Sequence, residues 1–248
     1  LGEHGSAHYG ADVAFAVLGK AKAPDLEASE AAACDRKKWR LHDVAVSPAG
    51  DLLVLFDCDA RWVSHYQPDN REGVHTKLLD NSGGGMVALD DTGAGYILAD
   101  GGKFHLFRWQ DGKPTPLPEP PRKGYEVGAM GLDAKGELWY AAKNQLAHGP
   151  GAQWVTETPG GDDTIAQLQF AGGKTWVIAG TTLYARGDDG RWQSVGLPTP
   201  DGPATPRALI EAGTEDVFVA GLRGEAATLH TTRTVTTPFR CAELPKPQ

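Results

Sequence analysis

Residues 136–159 read GELWYAAKNQLAHGPGAQWVTETP, and residues 173–198 read GKTWVIAGTTLYARGDDGRWQSVGLP. Each opens on glycine and runs through an apolar strand carrying a tryptophan that ends in small residues. A further short strand and a polar turn follow, and a last tryptophan-bearing segment closes on proline. Working outward from this pair, the same cycle recurs along the chain. First strands read LHDVAVS (41–47), GMVALD (85–90), EVGAMGLD (126–133), IAQLQFA (165–171) and RALIEAG (207–213). Second strands read DLLVLFD from Asp51, GYILAD from Gly95, ELWYAA from Glu137, KTWVIAG from Lys174 and EDVFVAG from Glu215. Fourth strands read AQWVTETP (152–159) and RWQSVGLP (191–198), with KPTPLP (113–118) a weaker copy.

Successive starts lie roughly 40 residues apart, the length of one four-stranded blade. The second strands are dense in Leu, Val, Ile, Trp and Phe without strict alternation, as expected of strands covered on both faces. The sequence therefore predicts an all-β chain: a β-propeller of about five four-stranded blades over residues 41–248. Residues 1–40 stand apart as an N-terminal extension that caps or closes the ring. Residues 13–18 read as a strand and residues 25–39 as a short helix, with Asp25 and Glu27 in its first turn and Arg36, Lys37 and Lys38 in its last. That charge order suits the helix dipole.

The quoted pair resembles the bacterial propeller repeats of sensor-kinase periplasmic domains, whose form is G-x-L-W, an apolar run, G-T-x-x-L and then G-x-W-x-x-V. Two repeats match well and three loosely. The motif is built of packing and turn residues, so the resemblance implies a fold and a sensing or binding role, not an activity.

Composition narrows the function classes. Glycine (32) and proline (17) are abundant, which favours many short strands. A formal charge of −8 argues against nucleic acid, whose binders need surplus Lys and Arg, and against an anionic membrane surface. No apolar run reaches the roughly 18 residues a membrane helix needs, so no membrane insertion is expected. The chain begins at Leu1, not Met, and the expectation is that a preceding segment has been removed. Cys34, Cys58 and Cys241 show no metal-like spacing. Export with one disulfide is the expectation, Cys34–Cys241 first and Cys34–Cys58 as its rival, which places the protein outside the cytoplasm.

In a propeller, the loops joining strand two to three and strand four to the next strand one open at one end of the blades, where function usually sits. That end gathers Asp80, Asn81, Arg122, Tyr125, Glu126, Asp162, Asp163, Asp201 and Arg207 from the inter-blade loops. Asp57, Asp59, Asp100, Lys143, Asn144 and Arg223 come from the two-to-three loops. Glu126, Asp163, Arg122, Tyr125, Arg207, Asp57 and Asp80 are the candidate ligand-binding residues. Asp162 and Asp163, within Gly-Gly-Asp-Asp-Thr, are candidate calcium ligands, because carboxylates and loop carbonyls are hard oxygen donors. The bland reading is that loops are polar because they meet water, and the Gly187–Gly190 segment reads as a plain hairpin turn.

No GxSxG, Cys–His pair or zinc spacing is present. The leading expectation is an exported noncatalytic propeller that binds a protein, peptide or glycan at its loop-rich face, with calcium the one candidate cofactor. The alternative is a carboxylate-dependent hydrolase or lyase at the channel mouth, with His42-Asp43, Glu126 and Asp163 opening successive first strands.

Overall fold

The computed structural model describes residues 40–47, 49–67, 70–81, 83–100, 103–118, 127–149, 153–197, 199, 202–211, 217–224, 226–231 and 239–240. The expected strand at 13–18 and helix at 25–39 lie outside them. So do Arg122, Tyr125, Glu126, Asp201, Cys34 and Cys241.

The chain divides into two compact units, Leu1–Pro120 and Pro121–Gln248. The first holds two antiparallel sheets. One comprises β1 (Arg40–Val46), β2 (Leu52–Asp57), β3 (Arg61–Gln67) and β4 (Asn70–Leu79). The other comprises β5 (Gly85–Leu89), β6 (Gly95–Asp100), β7 (Phe104–Gln110) and β8 (Lys113–Leu117).

The second unit holds three such sheets. β9 (Val127–Leu132), β10 (Leu138–Ala142), β11 (Gln145–His148) and β12 (Val155–Glu157) form one. β13 (Ile165–Ala171), β14 (Lys174–Ala179), β15 (Thr182–Arg186) and β16 (Trp192–Val195) form the next. β17 (Thr205–Glu211), β18 (Val217–Arg223), β19 (Ala226–Thr231) and β20 (Phe239–Arg240) form the last. In every sheet the strands follow chain order, and no helix occurs among the described residues. These are the blades of a β-propeller, as the repeat predicts.

Strand two of each blade is the core because it is covered on both faces. Alternate residues of a strand point to opposite sides. In β2, Leu52, Val54 and Phe56 join Trp62 and Tyr66 on one face. Leu53 and Leu55 face Val87, Ile97, Phe107 and Trp109 of the second blade. β14 repeats the device: Val177 and Ala179 pack with Trp139, Ala141 and Leu168, whereas Trp176 and Ile178 pack with Leu209 and Val219. This two-sided burial explains why these strands read as continuous apolar runs. Trp139 and Trp176 are core residues at 4% and 7% exposure, as their equivalent positions predict.

First strands lie side by side within each unit, β1 against β5, and β13 against both β9 and β17. Two of the turns from strand one to strand two share one chemistry. Asp90 and Asp133 each cap their own turn, accepting backbone N–H groups two and four residues on. The glycine three residues after each, Gly93 and Gly136, takes the left-handed conformation (φ 77° and 73°), where a side chain is strained.

Candidate functional site

Antiparallel four-stranded blades have two unlike ends. One carries the hairpins from strand one to two and three to four; the other carries the two-to-three loops and the inter-blade crossings. The structure brings the second set together in both units. In the first unit, Asp57 Oδ2 accepts the Gly83 N–H at 3.1 Å, and the Asp100 N–H donates to the Gly84 carbonyl at 2.8 Å. In the second, Asn144 Nδ2 donates to the Gly161 carbonyl at 2.8 Å, and Ile165 N–H to the Lys143 carbonyl at 2.7 Å. Residues far apart in sequence thus share a rigid rim.

The inner strands carry a feature that the sequence reading missed. β1, β9, β13 and β17 each contain a bulge near this end, leaving His42, Gly128, Ala166 and Arg207 without a partner across the ladder. A bulge inserts one residue and re-aims side chains, and it often adjoins a functional site. In two blades the residue after the bulge then reaches to the neighbouring first strand. Asp43 Oδ2 accepts the Val87 N–H at 2.9 Å, and Gln167 Oε1 accepts the Leu209 N–H at 2.5 Å. Gly128 has its own reason: a β-carbon there would stand 2.2 Å from the Ile165 carbonyl oxygen. The signal available in sequence was a repeated departure from period two at the start of these four strands.

Behind His42 lies a buried charge cluster. His42 Nε2 and Asp57 Oδ2 are 2.9 Å apart, and Arg61 Nε donates to Asp57 Oδ1. Arg61 is fully buried and also donates to the Gly84 carbonyl through Nη1. Burial alone would raise Asp57, but hydrogen bonds from His42 and Arg61, with the charge of Arg61, hold it below the usual carboxylate range. Asp43 behaves oppositely: burial pushes its carboxyl up to about 6 against the bonds from Val87 and Val44. His42 keeps one-fifth of its side chain exposed.

The remaining candidates divide by environment. Asp80 is 94% exposed and pairs with Lys77 at 2.7 Å, which lowers its pKa. Asp162, Asp163 and Arg207 are exposed. Asp162 Oδ1 lies 3.4 Å from Asn144 Nδ2, and a β-carbon at Gly180 would meet the Asp163 carboxylate at 2.8 Å. Among the described residues, no three His, Cys, Asp or Glu side chains gather as metal ligands. The Gly187–Gly190 segment is a hairpin turn, closed by Gly190 N–H to the Gly187 carbonyl at 2.9 Å.

One expectation needs correction. Cys58, buried just after β2, is disulfide-bonded. With three cysteines in the chain, a bonded Cys58 takes one of the other two, so the Cys34–Cys241 pairing gives way to one that uses Cys58. The bond lies beside Asp57, where the turn is closed by Cys58 N–H to the Ala60 carbonyl at 2.9 Å.

At the hairpin end of the second unit, sequence reasoning missed a second charge cluster. Glu157 accepts both Arg186 Nη2 at 2.7 Å and Trp192 Nε1 at 2.7 Å. His148 stands between two carboxylates, Nδ1 at 2.9 Å from Glu137 and Nε2 at 3.2 Å from Glu157, and stacks on Trp139 at 3.8 Å. Burial opposes the charge on Glu157, but the bonds from Arg186, Trp192 and His148 and the Arg186 charge hold its pKa down.

No family model and no curated protein sequence matches the chain. Its fold is similar to that of several solved structures. A catalytically inactive virginiamycin B lyase from Staphylococcus aureus, with quinupristin, superposes with TM-score 0.63 at 15% identity, over 85% of this chain and 72% of that one. YCF48 bound to D1 peptide gives TM-score 0.55 at 12% identity, over 82% and 66%. The β-propeller domain of Cps50 (Swd1) from Myceliophteria thermophila gives 0.55 at 12%, over 81% and 72%. At such identities the likeness concerns the fold alone.

Proposed function

We propose that the chain is an exported, noncatalytic β-propeller that recognises a protein or peptide partner through the loop-rich end of its blades. The carrying observation is the bulged inner strand, which sets Arg207 out of the ladder on a rim that also exposes Asp162 and Asp163. A rigid scaffold with exposed charges of both signs suits the polar rim of a protein interface, where complementary charge sets orientation and partner choice. YCF48, of similar fold, is bound to a peptide.

The test selects a peptide-display library and a glycan array on the intact protein, then repeats binding with D163K/R207E. Loss of the selected ligand at unchanged melting temperature supports the reading. Ligands retained by the charge-reversed protein refute it, and glycans selected in place of peptides redefine the partner. Adding calcium or a chelator to the same assay tests Asp162 and Asp163 as cation ligands. Fractionation of the producing cell tests export, and a cytoplasmic protein refutes that part.

A second reading has its own observation. His42 is set on a bulge and oriented by the buried Asp57, beside Asp43 with its raised pKa, an arrangement suited to general acid–base chemistry. This is the lyase or hydrolase alternative. Chromogenic glycosides, esters and lactones provide the screen. A turnover that H42A abolishes supports this reading, whereas a turnover untouched by H42A, or none at all, refutes it.

A further inference from the structure

The hairpin end of the first unit holds a cleft of about 390 Å³ between its two blades, remote from the loop-rich rim. Asp51 and His65 line it together with Gly93, Gln67, Gln110 and Asp111. Its volume is in the range of small-ligand sites, roughly 300–1,000 Å³.

Asp51 is the unusual group. Its side chain is only 13% exposed, and it is held by two long hydrogen bonds, His65 Nε2 at 3.2 Å and Ser47 Oγ at 3.3 Å. Strong bonds to a carboxylate are shorter, about 2.7–2.9 Å. An ammonium or guanidinium group brought to this carboxylate can add shorter, charge-assisted bonds to the long ones it already has. Asp57, by contrast, is fully engaged by His42, Arg61 and Gly83.

The walls are shaped for an occupant. His65 is 7% exposed and is fixed edge-on against Trp109 at 5.5 Å between ring centres. A β-carbon at Gly93 would come within 2.8 Å of Asp51 Oδ2, so glycine keeps the carboxylate approachable. At the mouth, Asp111 occupies the left-handed first position of an Asp-Gly turn between β7 and β8 (φ 51°) and is exposed. Gln67 and Gln110 add exposed amides, and no Lys or Arg lines the cleft. Two carboxylates, Asp51 beside His65 and Asp111, line a space without a lysine or arginine. The acidic chain, at −8, steers positive ligands toward it.

We infer that this cleft binds an aliphatic ammonium or guanidinium group, with Asp51 as the buried counter-charge and Asp111 as the outer one. The group comes either from a lysine or arginine side chain of a peptide or from a free polyamine. The inference is independent of the loop-rich rim.

The experiment titrates the intact protein with blocked Gly-Arg-Gly and Gly-Lys-Gly peptides, with putrescine, and with blocked Gly-Glu-Gly, following side-chain NMR signals of His65, Gln110 and Trp109. Saturable shifts with cationic probes alone are expected, weakened about tenfold or more by D51N and severalfold by D111N. Added salt weakens them further. Tighter binding of the basic peptides than of putrescine assigns the group to a peptide, and the reverse assigns it to a polyamine. Should D51N disturb folding, D111N and D111K at the exposed rim carry the test. The inference is overturned if no cationic probe gives a saturable shift up to about 10 mM, an affinity of only a few kcal/mol. Equal binding by folded D51N, D111N and D111K, or binding of the glutamate peptide, overturns it too.

Discussion

Each unit carries one cluster of a carboxylate, an arginine and a histidine, built at opposite ends of the blades. In the first unit Asp57, Arg61 and His42 sit at the loop-rich end, and Arg61 is wholly buried. In the second, Glu157, Arg186 and His148 sit at the hairpin end, and the Arg186 side chain is 28% exposed. The chemistry is the same but the burial differs. Arg186 can turn to water if its partner is lost; Arg61 cannot. The first cluster therefore holds an inter-blade loop in place through Gly83 and Gly84, whereas the second ties β12 to the neighbouring blade.

The largest expected effect follows from that difference. Asp57→Asn leaves the Arg61 charge buried without its counter-ion and should cost about 3–5 kcal/mol in chemical denaturation, the usual penalty for breaking a buried pair. Glu157→Gln should cost less, about 1–3 kcal/mol, because solvent screens and replaces the lost partner. Equal costs, or the reverse order, would show that burial of the arginine does not set the energy.

The disulfide at Cys58 sharpens the contrast, because it anchors the turn next to Asp57. Nonreducing mass spectrometry should find Cys58 bridged to Cys34 or Cys241, and reduction should lower stability by about 2–4 kcal/mol. Three free thiols would refute the bond. Local loss of hydrogen-exchange protection on reduction should centre on residues 57–61.

The smallest effect is a matter of sign. Asp57 and Glu157 have lowered pKa values, so their stabilisation is present above the usual carboxylate pKa, near 4, and is lost as pH falls through and below it. Asp43 has a raised pKa, about 6. The folded state keeps a proton that the unfolded chain releases, so the contribution of Asp43 is full at low pH and falls as pH rises from about 4 through about 6. The melting temperature of D43N relative to the parent should therefore climb across that window. A difference independent of pH would refute the assignment.

Much of the fold was legible because its cause is local and repeated. Apolar second strands, short turns with Gly or Asp and closing prolines recur with one period, and each states a backbone requirement that a single copy already shows. Residues such as Leu53 and Val54 announce a strand buried on both faces by being apolar in succession. The charged sites were less legible, for a physical reason. Asp57 was identifiable as a loop-end carboxylate, but nothing in its neighbourhood revealed that Gly83, 26 residues on, would bond to it. Glu157 looked like any polar residue of an outer strand, and its partners Arg186 and Trp192 lie 29 and 35 residues away.

The sequence by itself determined the blade repeat, the all-β class, the acidic balance and the end of the blades where charged loops collect. Those properties follow from composition and periodicity, which need only neighbours along the chain. Tertiary structure decided which carboxylates are neutralised, which stand exposed as Asp162 and Asp163 do, and which, like Asp51, are largely buried behind long hydrogen bonds. Burial and hydrogen bonding depend on groups that adjoin only after blades pack side by side. A one-residue bulge at His42 or Arg207 then re-aims a side chain without leaving a mark in composition.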